Sequence, residues 1–294
     1  MITRRRALFL GAAAAGLAVP GLMRAQTEVT PLLDQRPRIR CWGIDYGADT
    51  DPALARSYDM LVLEPDHMRP IAPLRGPSAL LLGYLSLGEV DRSRPFFAEL
   101  DASGAMLKPN PAWPSARMAD LRAASWRRYV LENLVPAILA TGYDGVFFDT
   151  LDSAETLERA SPVENAGMIA AGISLVKAIR SLFPRMFVMM NRGYAMLPEV
   201  ATSIDAALGE AMASRWNFAE KRYEMASASD WIWQATRLRT ARARNPSLSL
   251  LTLDYWETGD TRTVADLYAR ERAAGFSPYV ATLALDHLVR EPEA

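Results

Sequence analysis

Short apolar runs of strand length recur from residue 40 to residue 286, alternating with longer helical patterns or loops. Eight are present, at 40–46, 60–65, 80–87, 145–148, 186–190, 206–209, 248–253 and 279–285. Several lack an in-out alternation, as expected where both faces of a parallel strand are buried. The spacing of apolar positions between them predicts helices over 125–140, 162–182, 216–228 and 263–274. In the second of these, Ile169, Ile173, Val176 and Ile179 recur at helical spacing and form a core-facing stripe. Eight alternating units without a low-complexity linker predict an α/β fold, a (β/α)8 TIM barrel occupying 40–290 as a single domain. A doubly wound open sheet is the alternative, but no Gly-x-Gly-x-x-Gly follows the first strand, which removes its commonest cofactor. The Pro-rich stretch 92–114 reads as an extended loop at the mouth of the barrel.

The residues at the far ends of the apolar runs carry the chemistry. The runs end in Asp45-Tyr46, Glu64 and Asp66, Glu89, Asp149, Asn191, Glu210, Asp254-Tyr255 and Asp286. In a barrel these positions converge on the C-terminal face, where active sites of this fold sit. The competing explanation is that each acid caps the next helix, which is favoured for Asp152 and Ser153. It fails for the set, because Glu is a poor cap and Glu89 and Glu210 come directly after their strands.

Composition narrows the chemistry further. The chain has 294 residues, half of them hydrophobic and 23% charged, enough for one sizeable core. Arg4, Arg5 and Arg6 precede an apolar stretch over 7–19, which reads as a secretory signal of twin-arginine type cleaved after Ala25, followed by an extension over 26–39. The expected location is periplasmic or secreted. No later segment offers about twenty apolar residues, so no stable membrane insertion is expected after signal removal. Removing 1–25 takes away four of the 33 basic residues and none of the 34 acids. The mature chain is then mildly acidic without a Lys/Arg run, which argues against nucleic acid as a partner. Cys41 is the only cysteine, and His67 and His287 are the only histidines. A cysteine zinc site is excluded, and a His-rich metal site or Ser-His-Asp triad has too few imidazoles. Carboxylates must therefore do the work. Nothing in the pattern specifies an oligomeric state.

Glycosidic cleavage needs two carboxyl groups flanking the bond, and two acids on different strand ends can supply them. Sugar rings also need aromatic platforms, for which Tyr46, Tyr84, Trp113, Tyr194 and Tyr255 stand at or near strand ends and mouth loops.

Three motifs carry a family resemblance. They are Tyr84-Leu85-Ser86-Leu87-Gly88-Glu89, the run Gly142-Tyr143-Asp144-Gly145 through Asp149-Thr150-Leu151-Asp152-Ser153, and Ser277-Pro278-Tyr279-Val280-Ala281. With Asn110-Pro111-Ala112-Trp113-Pro114, Met190-Asn191-Arg192-Gly193 and Gly209-Glu210 they span most of the chain, which resembles the endo-α-1,4-polygalactosaminidase family of glycoside hydrolases. That resemblance implies internal cleavage of an α-1,4-linked galactosamine or N-acetylgalactosamine polysaccharide without a metal or organic cofactor. By motif position, an acid of the run from Asp149 to Asp152 would be the nucleophile or charge stabiliser, with Asp149 favoured over Asp152 because it ends the strand. Glu210 would be the acid/base. Asp45, Tyr46, Tyr84, Glu89, Asn191, Asp254, Tyr255 and Asp286 are the expected substrate-binding residues. A galactosamine polymer is cationic near neutral pH, and an acidic cleft would attract it. A glycan-binding barrel without catalysis and a metal-dependent deacetylase are the competing functions.

Overall fold

The apolar runs form strands because each is short, buried and bounded by polar turns. In the computed structural model, which describes residues 39–66, 70–111 and 113–292, they are β1 (Trp42–Asp45), β2 (Met60–Leu63), β3 (Leu80–Ser86), β4 (Gly145–Asp149), β5 (Phe187–Asn191), β6 (Ala206–Glu210), β7 (Ser249–Tyr255) and β8 (Ser277–Ala281). They pair in sequential order, every ladder parallel, as a (β/α)8 TIM barrel. The expected signal segment and nearly all of the extension lie outside the described residues, which belong to one compact unit, Pro37–Ala294. Among the described residues no helix is long and apolar enough to cross a membrane.

Side chains hold the seam where β8 meets β1. Trp42 Nε1 donates to the Ser277 carbonyl at 2.8 Å, Ser277 Oγ donates to the Ile39 carbonyl at 2.7 Å, and the Trp42 and Tyr279 rings pack at 5.5 Å. At the rim, the Tyr46 N–H donates to the Leu285 carbonyl at 2.7 Å. Within the ladders, Gly145 is obligatory, since a Cβ there would fall 1.9 Å from the Phe187 carbonyl oxygen of β5.

The helices depart from the sequence reading in ways that matter at the rim. The span 125–140 forms, but as Ala124–Tyr129, a wide five-residue π turn at Val130–Leu134, and Val135–Ala140. Pro136 lacks an N–H, and the wide turn just before it relaxes the ladder that proline interrupts. The 162–182 span begins at Met168, after Gly167 with φ 85°, and a further helix, Leu151–Ala160, follows β4 directly. The 263–274 helix runs Thr261–Ala273, capped by Asp260, which accepts from the Thr263 N–H. The expected helix over 216–228 is incorrect. Ser214–Asn217 and Arg222–Met225 form an antiparallel hairpin in which Trp216 pairs with Tyr223, their rings 4.8 Å apart. The helix starts after it, at Ala228, where Ser227 Oγ accepts from the Asp230 N–H, and runs to Arg244. The stretch 92–114 is no open loop either. It contains the helix Phe97–Ala102 and one strand of an antiparallel sheet formed by Glu89–Asp91, Ala116–Ala119 and Met106–Pro109. This small sheet and the hairpin rise on two sides of the barrel mouth.

Candidate active site

Alternation along the strands gathers one set of side chains inside the rim. Tyr84 on β3, Asp149 ending β4, Asn191 ending β5, Glu210 ending β6 and Tyr255 ending β7 all line a groove of about 990 Å³. Asn191 links the acids. Its Nδ2 donates to Asp149 Oδ1 at 2.9 Å and to Glu210 Oε2 at 2.6 Å, so these two oxygens lie within two hydrogen-bond lengths of each other. The remaining oxygens are also held. The Tyr84 hydroxyl donates to Asp149 Oδ2 at 3.0 Å, the Tyr255 hydroxyl to Glu210 Oε1 at 2.6 Å, and the Thr150 N–H to Asp149 Oδ1 at 2.8 Å.

Burial, followed by repulsion from Glu210, raises Asp149 from an ordinary 3.8 to about 6. Because the two acids share a donor and repel each other, that proton belongs to the pair. Below about pH 6 one acid is protonated beside one carboxylate. Burial and the adjacent carboxylates push the Tyr84 and Tyr255 hydroxyls well above the usual phenol range, so both remain donors.

The turns leaving these strands are strained at three successive positions. Thr150, Arg192 and Ala211, the residues directly after Asp149, Asn191 and Glu210, have φ of 64°, 46° and 54°. A left-handed conformation costs a non-glycine residue about 1–2 kcal/mol and persists where the surroundings over-determine it. Here they do. Thr150 Oγ1 accepts from the Gly88 N–H at 2.9 Å, donates to the Asp149 carbonyl at 2.7 Å and lies 2.7 Å from Ser86 Oγ. Arg192 Nη2 donates to the Glu210 carbonyl at 2.9 Å, and the Ala211 N–H donates to the Leu253 carbonyl at 2.7 Å. Three strand ends are thereby locked to their neighbours at the acids.

A family model described as glycoside-hydrolase family GH114 matches residues 25–293. The chain belongs to family GH114. Among solved structures, this GH114 chain is similar to the glycoside hydrolase domain of PelA from Pseudomonas aeruginosa, with 27% identity, 86% of this chain and 99% of that one covered, and a TM-score of 0.76. It shares its fold with Aspergillus fumigatus Ega3, solved with galactosamine, at 14% identity, coverage of 88% and 98%, and a TM-score of 0.63. No curated protein matches its sequence.

Within the GH114 groove the expected residues separate into three groups. Asp149, Glu210, Asn191, Tyr84 and Tyr255 converge on one point, and Tyr46 backs them, its ring edge-on to Tyr84 at 5.0 Å. Glu89 and Asp152 line the groove to one side. Glu89 accepts from Asn110 Nδ2 at 2.8 Å and from Ser153 Oγ, and Asp152 lies 3.6 Å from Arg192 Nη1 within the first turn of its helix, not at the cap. Asp45, Asp254 and Asp286 are corrections, for none of them lines the groove. Asp45 is fully buried and holds its own turn, accepting from the Gly47 N–H and the Thr50 hydroxyl. Asp286 lies on the surface beside His287. Asp254 points outward because Tyr255, its neighbour in a two-residue period, points inward.

Arg192 is the groove residue that strand-end reading missed. Burial lowers its guanidinium, but the Glu210 and Asp152 carboxylates more than reverse this and raise it. Trp216 and Phe218 were missed with the hairpin that carries them.

Asp254 has a structural task. Its Oδ1 accepts from the Ala213 and Ser214 N–H groups at 2.6 and 2.8 Å, anchoring the hairpin base. Burial, then the Glu271 carboxylate, raises Asp254 from 3.8 to about 7. A raised folded value means its contribution to stability is complete below about pH 4 and is lost as pH rises through about 7. Asp254→Asn keeps an oxygen acceptor without the charge. It should leave Tm unchanged near pH 4 and raise it at pH 8, and melts that move equally at both pH values would contradict this.

Proposed function

We propose that this chain is an exported, endo-acting and anomer-retaining hydrolase of an α-1,4-linked galactosamine or N-acetylgalactosamine polysaccharide. The carrying observation is the single amide of Asn191 holding both Asp149 and Glu210. These two bonds cap the gap between the facing oxygens, which fits the separation of about 5–5.5 Å in retaining glycosidases better than the wider one inverting enzymes keep for a water. The substrate class rests on the motifs that resemble endo-α-1,4-polygalactosaminidases, and galactosamine is the sugar bound in the Ega3 structure of the same fold. Export rests on the signal-like 1–25 segment.

Asp149 is the nucleophile. It accepts from Asn191, Tyr84 and a backbone N–H, which favours its ionised form. In the reactive arrangement the carboxylate is at Asp149 and the proton shared by the pair is delivered through Glu210. As the bond between C1 and the glycosidic oxygen breaks, an Asp149 oxygen bonds C1 and the Glu210 proton passes to the departing oxygen. In the second step Glu210 takes a proton from water, whose oxygen bonds C1 and releases Asp149 as carboxylate. Both steps are balanced and return the pair to its starting state.

Reducing ends released from a galactosamine polymer, with products resolved by mass spectrometry and the first-formed anomer read by NMR, test the reading. Internal cuts with α-anomeric products are expected; no release would leave a glycan-binding barrel. The reaction needs the one proton the pair shares, which burial and mutual repulsion of the two acids hold up to about pH 6, so kcat/KM should fall about tenfold per pH unit above that. A profile flat to pH 8 would contradict the shared proton.

A further inference from the structure

Two large aromatic side chains stand exposed at the mouth of the groove, where burial explains neither. Trp113 is 52% exposed and Phe218 is 54% exposed. Both line the groove, and their rings meet edge to face, centroids 5.8 Å apart and planes at 90°. They come from different sides of the barrel. Trp113 belongs to the excursion between β3 and β4, and Phe218 to the turn of the hairpin after β6. The strands between these two excursions include β4 and β5, whose ends carry Asp149 and Asn191.

Both segments are braced from below. The Ala116 N–H donates to the Trp113 carbonyl at 2.9 Å, and Asn110 N–H donates back to the Ala116 carbonyl at 3.0 Å. Across the mouth, Asn217 Oδ1 accepts from the Ala219 and Glu220 N–H groups, and the hairpin base is pinned by Asp254. Rigid supports that end in two exposed rings touching each other are a poor use of apolar surface for stability alone, since each ring leaves half its area in water.

We propose that Trp113 and Phe218 form an aromatic clasp over the groove that grips the polysaccharide chain at sugar units away from the one being cleaved. The inference rests on the hydrolase reading for its ligand, a hexosamine polymer, whose apolar ring faces stack on aromatic rings and whose ammonium groups favour an aromatic face. The groove volume of about 990 Å³ stands at the upper end of small-ligand sites and accommodates more than one sugar unit. The two rings meet only edge to face, so a sugar unit can lie against either ring without displacing the braced segments that carry them. Remote grip of this kind is uniform binding: it changes KM and leaves the chemical step alone.

The test compares wild type with Trp113→Ala, Phe218→Ala and the double variant on a long galactosamine polymer and on a short oligomer that occupies only the cleavage point. Each single variant should raise KM for the polymer about tenfold with kcat unchanged, and leave the oligomer kinetics unchanged. The double variant should be no worse than the worse single, because a clasp with one jaw missing no longer grips. Unchanged polymer KM, equal losses on polymer and oligomer, or additive losses in the double variant would each overturn the clasp. Trp113→Phe and Phe218→Tyr serve where an alanine variant melts early, and should restore polymer KM. Gel retardation by the uncleaved polymer separates this idea from the proposed function. Wild type that is retarded but releases no reducing ends, with variants that are not retarded, would refute the hydrolase and keep the clasp. Retardation equal in all four proteins, or none even in wild type, would refute the clasp, while reducing-end release decides the hydrolase separately.

Discussion

Replacing Glu210 with Gln is expected to lower kcat/KM on the polysaccharide by about 10²–10⁴-fold, and replacing Asp149 with Asn by about 10⁴-fold or more, with the fold intact. Neither change alters the packing, because both substitutes are near-isosteric and each site keeps its tyrosine and amide neighbours. The two variants separate the roles. A substrate with an activated aryl leaving group needs no proton from Glu210 to depart, so Glu210→Gln should recover much of the first step on it. Asp149→Asn should recover nothing, since the bond to C1 still cannot form. A Glu210→Gln variant equally dead on both substrates, or an Asp149→Asn variant revived by the activated one, would reverse the assignment. The alternative nucleophile Asp152 is tested in the same series. Its carboxylate faces Arg192, not the shared amide, and Asp152→Asn should leave the activated substrate's first step running.

Asn191→Ala should have the next largest effect, about a 10- to 100-fold fall in kcat, from hydrogen bonds to charged groups worth about 1.5–3 kcal/mol. Its second signature is electrostatic. The Asn191 amide favours the ionised form of Asp149 and lowers its pKa, so its removal should move the alkaline limb of the rate profile upward from about 6. A truncation that merely loosened packing would cut the rate without moving that limb. A limb that stays in place, or moves down, would sink the bridging role assigned to Asn191.

The strands were legible because burial on both faces leaves a signature in composition. All eight apolar runs became barrel strands, and the acids at their ends pointed toward Asp149 and Glu210. The hairpin at Ser214–Met225 was not legible. Its alanine, glutamates and lysine suit a helix, whereas the cross-strand contact of Trp216 with Tyr223 and the turn at Lys221, φ 50°, exist only once the chain has folded back. The strained turns gave no signal either, because Thr150, Arg192 and Ala211 are not residue types that advertise a left-handed backbone.

What the amino-acid order determined by itself is the alternation of strands and helices, the family motifs, and the supply of carboxylates in place of imidazoles and thiols. Which carboxylates meet was decided only by tertiary structure. A strand turns successive side chains to opposite faces, so one residue of register separates Tyr255, which holds Glu210, from Asp254, which anchors a hairpin behind the barrel wall. Neighbouring residues in the chain thus have unrelated surroundings, while Asp149, Asn191 and Glu210, far apart in the chain, meet at one place because the barrel brings three strand ends together.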